Sequence, residues 1–187
     1  MNLPNKLTIF RMLLIPVFIA CFYLPTNEYW FYAATAVFVI AYITDIFDGR
    51  YARKHGMVTD FGKLMDPIAD KLLTASALVM LTAFGLMSPI PAIIIISREF
   101  VVSGLRLVAA GRGYVIAASK LGKTKTLSQC IAIILILLRR PLFDIIGVGA
   151  NVVVQVVLWV SVALTVLSAF EMFFKNRPCF KMDDEDM

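Results

Sequence analysis

Read from its N-terminus, the chain is a succession of long apolar runs broken by short polar ones. A membrane span needs about 20 mostly apolar residues, and six stretches approach or reach that length. The first runs from Leu7 to about Tyr23 and stops at Leu24-Pro25-Thr26-Asn27. The second runs from about Tyr29 to Ala52 and the third from about Lys63 to Phe84. The fourth, Ile90 to about Ala110, follows Ser88-Pro89-Ile90-Pro91, which marks a helix start. The fifth has a clean apolar core only over Ile131–Leu138, but Leu121–Leu138 suffices if its polar residues face inward. The sixth runs from about Gly147 to Phe174. The pattern predicts an all-α integral membrane protein, a single six-helix domain over residues 1–187. Its acidic end, residues 182–187, reads as a disordered tail.

Composition agrees with the pattern. The 187 residues are 60% hydrophobic and 17% charged, with a mean hydropathy of +0.82. A soluble domain sits nearer about 45–50% apolar and about 25% charged. Cys21, Cys130 and Cys179 are odd in number and widely spaced, without a CxxC pair. Neither a disulfide framework nor a zinc site is expected. The first apolar run lacks a small-residue cleavage site and reads as a retained span.

Charge then orients the spans. Lys6 and Arg11 lie at the N-terminus, and Arg50, Arg53 and Lys54 follow span two. Arg112, Lys120, Lys123 and Lys125 separate spans four and five, and Lys175, Arg177 and Lys181 follow span six. The opposite loops carry only Arg139 and Arg140. The positive-inside rule places both termini in the cytoplasm, and Arg139-Arg140 is a local exception. The net charge of +5 suits anionic lipid or a phosphorylated substrate as well as topology.

One stretch departs from the apolar pattern. Residues 45–70, DIFDGRYARKHGMVTDFGKLMDPIAD, carry four carboxylates near the ends of two apolar runs, Asp45, Asp48, Asp66 and Asp70. An ionisable group at membrane depth costs several kcal/mol unless it is paired or faces a cavity. Asp45 and Asp48 are spaced i,i+3, Asp66 and Asp70 i,i+4, so each pair shares one helix face. The short connection makes the two helices antiparallel neighbours, with the pairs at similar depth and open to the cytoplasm. Four clustered acids repel one another, and two divalent cations would neutralise them. All-oxygen donors favour Mg²⁺ or Mn²⁺, and two such ions can clamp a phosphoryl group. Gly49 and Gly62 allow close approach of a ligand or helix, and Arg53 is placed to bind a phosphate bidentately.

Other polar residues extend the candidate site. Arg98 and Glu99 lie inside span four, where each needs an interhelical partner or a ligand. Arg106, with Lys123, Lys125 and Thr126, forms either a basic pocket for a phosphate or a set of topology and headgroup contacts. Asn5 and Thr8 either contact a nucleotide or cap the first helix.

The spacing D-x2-D-G-x2-A-R-x8-G-x3-D-x3-D is met without a gap at Asp45, Asp48, Gly49, Ala52, Arg53, Gly62, Asp66 and Asp70. In this the chain resembles the CDP-alcohol phosphatidyltransferases. The opening Pro4-Asn5-Lys6-Leu7-Thr8-Ile9-Phe10-Arg11, Asp66-Pro67-Ile68-Ala69-Asp70-Lys71, Arg98-Glu99 with Ser103 and Arg106, and Gly122-Lys123-x-Lys125-Thr126 resemble the branch that uses glycerol 3-phosphate. The resemblance implies a six-span homodimer in the bacterial inner membrane, its active site facing the cytoplasm. Asp45, Asp48 and Asp66 would hold one metal, Asp45, Asp66 and Asp70 the second, and Asp70 would be the general base. Asn5, Thr8, Asp48, Gly49, Ala52, Arg53 and Gly62 would line the CDP-lipid site. Arg98, Arg106, Lys123, Lys125 and Thr126 would hold the acceptor phosphate. The implied reaction joins CDP-diacylglycerol to sn-glycerol 3-phosphate. The alternatives are inositol phosphate, serine or phosphatidylglycerol as acceptor, a membrane prenyltransferase, and a cation transporter. The close spacing of the two acidic pairs disfavours a prenyltransferase. Acids lying toward one side, with no internal repeat, disfavour a transporter.

Overall fold

A computed structural model describes residues 3–23, 29–55, 60–111, 113, 114, 116 and 119–176. At 3–6, 46–55, 60–64, 66 and 67 it describes the backbone alone. The tail at 182–187 lies outside these residues. The described chain is helical throughout: α1 Leu3–Cys21, α2 Trp30–His55, α3 Asp60–Ala83, α4 Pro89–Gly111, α5 Lys120–Leu137, α6 Arg139–Ile146 and α7 Gly149–Lys175. Six of the seven coincide with the six apolar stretches. The seventh, α6, lies in what the apolar pattern leaves as a connection between spans five and six. Among the described residues, α7 is the one helix long and apolar enough to cross a membrane by length and composition. Leu7–Cys21 and Trp30–Asp45 are shorter apolar stretches. Helices α3, α4 and α5 are continuous, and the charged residues of the candidate site interrupt only their apolar runs.

Local chemistry sets the helix ends. α3 closes at Gly85, whose φ of 68° is open to glycine without steric cost. Gly85 N–H donates to Thr82 O at 3.0 Å and Leu86 N–H to Leu81 O at 2.9 Å, the paired bonds of a Schellman stop. Pro89 then occupies the first position of α4, where its missing N–H is harmless. The same stop recurs after α4, where Gly113 N–H donates to Ala110 O and Tyr114 N–H to Ala109 O. Ser119 caps α5, its Oγ accepting from Gly122 N–H at 3.0 Å.

The chain divides into two compact units, one of Met1–Ser88 with Ile133–Asn151, the other of Pro89–Ala132 with Val152–Met187. In the first, α1 packs along both α2 and α3, and α2 also touches α3. Its core is Phe18, Phe38, Leu78 and Leu81, interleaved with fully buried Ala34, Ala41, Ala69 and Ala77. The alanines let helix backbones approach closely. Phe18 and Phe38 rings lie 6.0 Å apart, and Phe22 lies 4.9 Å from Trp30 and 5.1 Å from Phe84. In the second unit, α7 presents buried Ser161, Thr165 and Ser168 along one face. Gln129 of α5 donates to Thr165 Oγ1 at 3.0 Å, so a polar seam holds α5 to α7.

Candidate active site

The acidic stretch occupies the ends of α2 and α3. α2 carries Asp45 and Asp48 and runs on through Gly49, Ala52 and Arg53, while α3 carries Gly62, Asp66 and Asp70. Asp45 and Asp70 are described in full, and both are part-exposed. The side chains of Asn5, Asp48, Ala52, Arg53 and Asp66 lie outside the described residues, as do the surroundings of Gly49 and Gly62.

The first helix contributes a group that charge counting passes over. Arg11, read from sequence as one of the N-terminal positive charges, is fully buried. Its NH1 lies 2.6 Å from Asp45 Oδ1, and the Asp45 side chain is 33% exposed. The signal was available: Arg11 lies one turn inside an apolar run, where a cation requires a partner. Thr8, one turn before Arg11 on α1, is also buried, and Asn5 lies a further turn back along the same backbone. α1 thus brings Arg11 to the Asp45 carboxylate of α2.

The donor chemistry of this cluster fits a hard divalent cation. Every candidate donor is a carboxylate oxygen, and the part-exposed Asp45 and Asp70 retain access for an ion. Arg11 pairs with one of the four carboxylates, Asp45. Among the described residues no three potential ligands converge, Asp48 and Asp66 being described by backbone alone.

The second unit carries the basic residues. Arg98 donates from NH2 to Ser168 Oγ of α7 at 2.9 Å, and its NH1 lies 3.2 Å from Glu99 Oε1. Glu99 also pairs with Lys125 Nζ of α5. Arg98 and Glu99 of α4 therefore both have interhelical partners, and they also touch each other although adjacent in sequence. Arg98 Nε is buried and has no hydrogen-bond partner among the described residues. Arg98 and Arg106 line a cleft of about 40 Å³ with Gly122, Ser168, Glu171 and Lys175. Lys175 Nζ donates to Glu171 Oε1 at 2.6 Å across one turn of α7.

The five basic-pocket residues therefore separate into three positions. Arg98 and Arg106 share the cleft. Lys125 is 3% exposed, turned to Glu99 and linked through it to Arg98. Lys123 is exposed, and Thr126 donates to Gly122 O at 3.1 Å. Glu99, expected to need an interhelical partner or a ligand, has the partner Lys125, whereas Ser168 and Glu171 were not among the residues expected at the site. Ser168 and Glu171 carry no local motif, and only the fold brings them beside Arg98.

Comparison with known proteins agrees with the spacing of the acidic stretch. A family model described as CDP-alcohol phosphatidyltransferase matches residues 1–167. A protein of Bacillus subtilis strain 168 named CDP-diacylglycerol–glycerol-3-phosphate 3-phosphatidyltransferase is 44% identical, over 96% of this chain and 97% of its own. Proteins of the same name from Rickettsia felis and Wigglesworthia glossinidia brevipalpis are 41% and 34% identical. They match 92% and 94% of this chain and 93% and 99% of their own. With a family model covering most of its length and relatives aligned nearly end to end, the chain belongs to the CDP-alcohol phosphatidyltransferase family.

Proposed function

We propose that the protein transfers the phosphatidyl group of CDP-diacylglycerol to sn-glycerol 3-phosphate, giving phosphatidylglycerol phosphate and CMP in phospholipid biosynthesis. The near-full-length relatives that bear this activity's name support the reading. The observation that carries the acceptor is the unit-two cleft. Two arginines line it, and one has a buried N–H without a partner among the described residues. A phosphate monoester supplies the acceptor oxygens that such a guanidinium lacks.

In this reading Asp45, Asp48, Asp66 and Asp70 hold two divalent cations, Mg²⁺ or Mn²⁺. When bound, the ions neutralise the diphosphate of the lipid and the charge on departing CMP. Gly49, Gly62, Ala52 and Arg53 line the nucleotide end with Asn5, Thr8 and Asp48. Asp70 accepts the proton of the acceptor's sn-1 hydroxyl. The hydroxyl oxygen bonds to the lipid-side phosphorus, the anhydride bond breaks, and CMP takes its electron pair. Arg98 and Arg106 orient the acceptor through its phosphate, while Lys123 and Lys125 add positive charge around them. Arg11 is a positioning residue that holds the Asp45 carboxylate.

The helices α1–α5 and α7 cross the bilayer of a bacterial inner membrane, with both termini and the active site on the cytoplasmic side. Helix length supports this. These six have 18 to 27 residues, about 27–40 Å at ~1.5 Å per residue, against a hydrocarbon core of about 30 Å. With eight residues, α6 is too short to span and lies at the surface opposite the aspartates. Two copies form a homodimer, as family resemblance implies.

The test is CMP release by purified protein in detergent, with a panel of acceptors. Release that requires glycerol 3-phosphate and a divalent cation is expected. Equal release with serine, inositol phosphate or phosphatidylglycerol would refute the acceptor assignment. Metal flux in liposomes without CMP release would refute the reaction.

A further inference from the structure

Glu171 is an acid in a cleft whose other charged residues are basic, and neither the metal chemistry nor the phosphate contacts make use of it. It lies one turn beyond Ser168 on α7, and Ser168 Oγ accepts from Arg98 NH2 at 2.9 Å. Arg98, Arg106, Ser119, Glu171 and Lys175 line the one cleft of about 40 Å³, which has room for about three water-sized groups at ~10–15 Å³ each. The two oxygens of the Glu171 carboxylate are in different states. Oε1 accepts from Lys175 Nζ at 2.6 Å, and the Ser119 hydroxyl also lies against this carboxylate. Oε2 is buried and has no hydrogen-bond partner among the described residues, and the same holds for Arg98 Nε. The lining therefore carries one unmet acceptor and one unmet donor that do not satisfy each other. Each is costly when left so.

We propose that Glu171 determines acceptor specificity, its Oε2 accepting a hydrogen bond from the non-reacting hydroxyl of a phosphorylated polyol whose phosphate is held by Arg98. The pairing of the two unmet groups is the argument. A ligand that meets both must carry an anionic oxygen for the guanidinium and an O–H for the carboxylate. A bare phosphate serves Arg98 but is opposed by Glu171, so the acid selects against anions that bring no donor. Ser168 and Glu171 are three residues apart, about 4.5 Å of helix at ~1.5 Å per residue. That is comparable with the reach from a phosphate to a hydroxyl on the carbon beyond its ester carbon. In sn-glycerol 3-phosphate the sn-1 hydroxyl reacts, which leaves the sn-2 hydroxyl to meet Oε2. The inference rests on the proposed transfer to glycerol 3-phosphate and assigns to it a residue that recognises the polyol rather than the phosphate.

The test compares glycerol 3-phosphate with 3-hydroxypropyl phosphate, which keeps the phosphate and the terminal hydroxyl and lacks the middle one. A site built to bond a substrate hydroxyl rejects the analogue without it, because its own polar group is left unpaired. In the parent, kcat/KM for CMP release is expected to be about tenfold or more higher with glycerol 3-phosphate. Glu171→Met keeps the side-chain length and removes the carboxylate, and is expected to bring the two acceptors within about threefold of each other. Glu171→Gln keeps an acceptor oxygen without the charge, and an intermediate preference is expected. Lys175→Met removes the ion pair but leaves Oε2 in place, so the preference should survive it. The Lys175 side chain is 67% exposed, and loss of such a pair costs little stability. Equal kcat/KM for the two acceptors in the parent would overturn the proposal without any variant. So would a preference that survives Glu171→Met, or one that Lys175→Met removes as completely. No CMP release by the parent with either acceptor would overturn the transfer itself and the role of Glu171 with it, whereas release with an unaltered preference overturns the role of Glu171 alone.

Discussion

Replacing Arg11 with methionine tests whether α1 is part of the acidic site or merely lies beside it. Arg11 is fully buried and its NH1 is 2.6 Å from Asp45 Oδ1. Methionine keeps most of the apolar stem and removes the charge. Breaking a fully buried pair by deleting one partner costs about 3–5 kcal/mol. One third of the Asp45 side chain is exposed, so water takes over part of the lost interaction, and about 2–3 kcal/mol is expected. For a chain of this length that corresponds to a fall in melting temperature of about 4–12 °C, at ~2–4 °C per kcal/mol. The assay is thermal unfolding in detergent with chelator, so that metal binding does not contribute. Asp45→Asn alone leaves the guanidinium buried without its carboxylate and is expected to cost at least as much. The double variant Arg11→Met/Asp45→Asn should cost less than the sum of the singles by about 1–3 kcal/mol. Additivity within about 0.5 kcal/mol would refute the reasoning and reduce Arg11 to a packing residue.

Asp70→Asn should abolish CMP release while leaving the melting temperature within a few degrees of the parent. Normal release from a folded Asp70→Asn protein would remove Asp70 as the base. Chelation should have the same effect on activity and be reversed by added Mg²⁺. Arg98→Gln should raise the KM for glycerol 3-phosphate about tenfold or more, the loss of one charge-assisted bond of about 1.5–3 kcal/mol, with little change in KM for the CDP-lipid. An equal rise in both would place Arg98 in general packing rather than at the acceptor. Phe38→Ala removes a buried ring that lies 6.0 Å from that of Phe18 and should destabilise by about 3–5 kcal/mol, read by the same thermal assay.

The sequence makes the helices legible because each apolar run between turn signals is long. Gly85 and Gly113 then fall where the observed stops require positive φ. The short α6 was not legible: eight residues with two arginines and Pro141 lack the length on which periodicity depends. At the acidic stretch, the i,i+3 and i,i+4 spacing places each pair on one face of a continuous helix, α2 or α3. Arg11 was visible as a charge but not as a partner, since its distance from Asp45 is set by how α1 packs on α2. Ser168 meets Arg98 seventy positions earlier in the chain, and no local pattern encodes that separation.

The two clusters handle charge in the same way with opposite sign. In the first unit the buried Arg11 guanidinium is bound to Asp45, one of the four carboxylates of the proposed metal site. In the second, Glu99 is bound to Lys125 and to Arg98, while Arg98 and Arg106 still face the cleft. In each case the built-in counter-ion fixes a side chain of the candidate site in place. A buried group held this way gives up little conformational freedom when a ligand arrives, and the residual charge selects the ligand's sign. On the proposed reading the aspartates take the cations and the arginine cleft takes the acceptor's phosphate. A transfer between a cation-dependent diphosphate lipid and a phosphorylated alcohol needs both. Charge reversal at the two counter-ions should fail differently. Arg11→Glu adds a carboxylate beside the proposed metal site and should weaken folding in chelator but recover in excess Mg²⁺. Glu99→Lys adds a cation beside Lys125 and Arg98, which no divalent cation can offset, so Mg²⁺ should not rescue it. Rescue of both, or of neither, would mean that the two clusters are not electrostatically distinct.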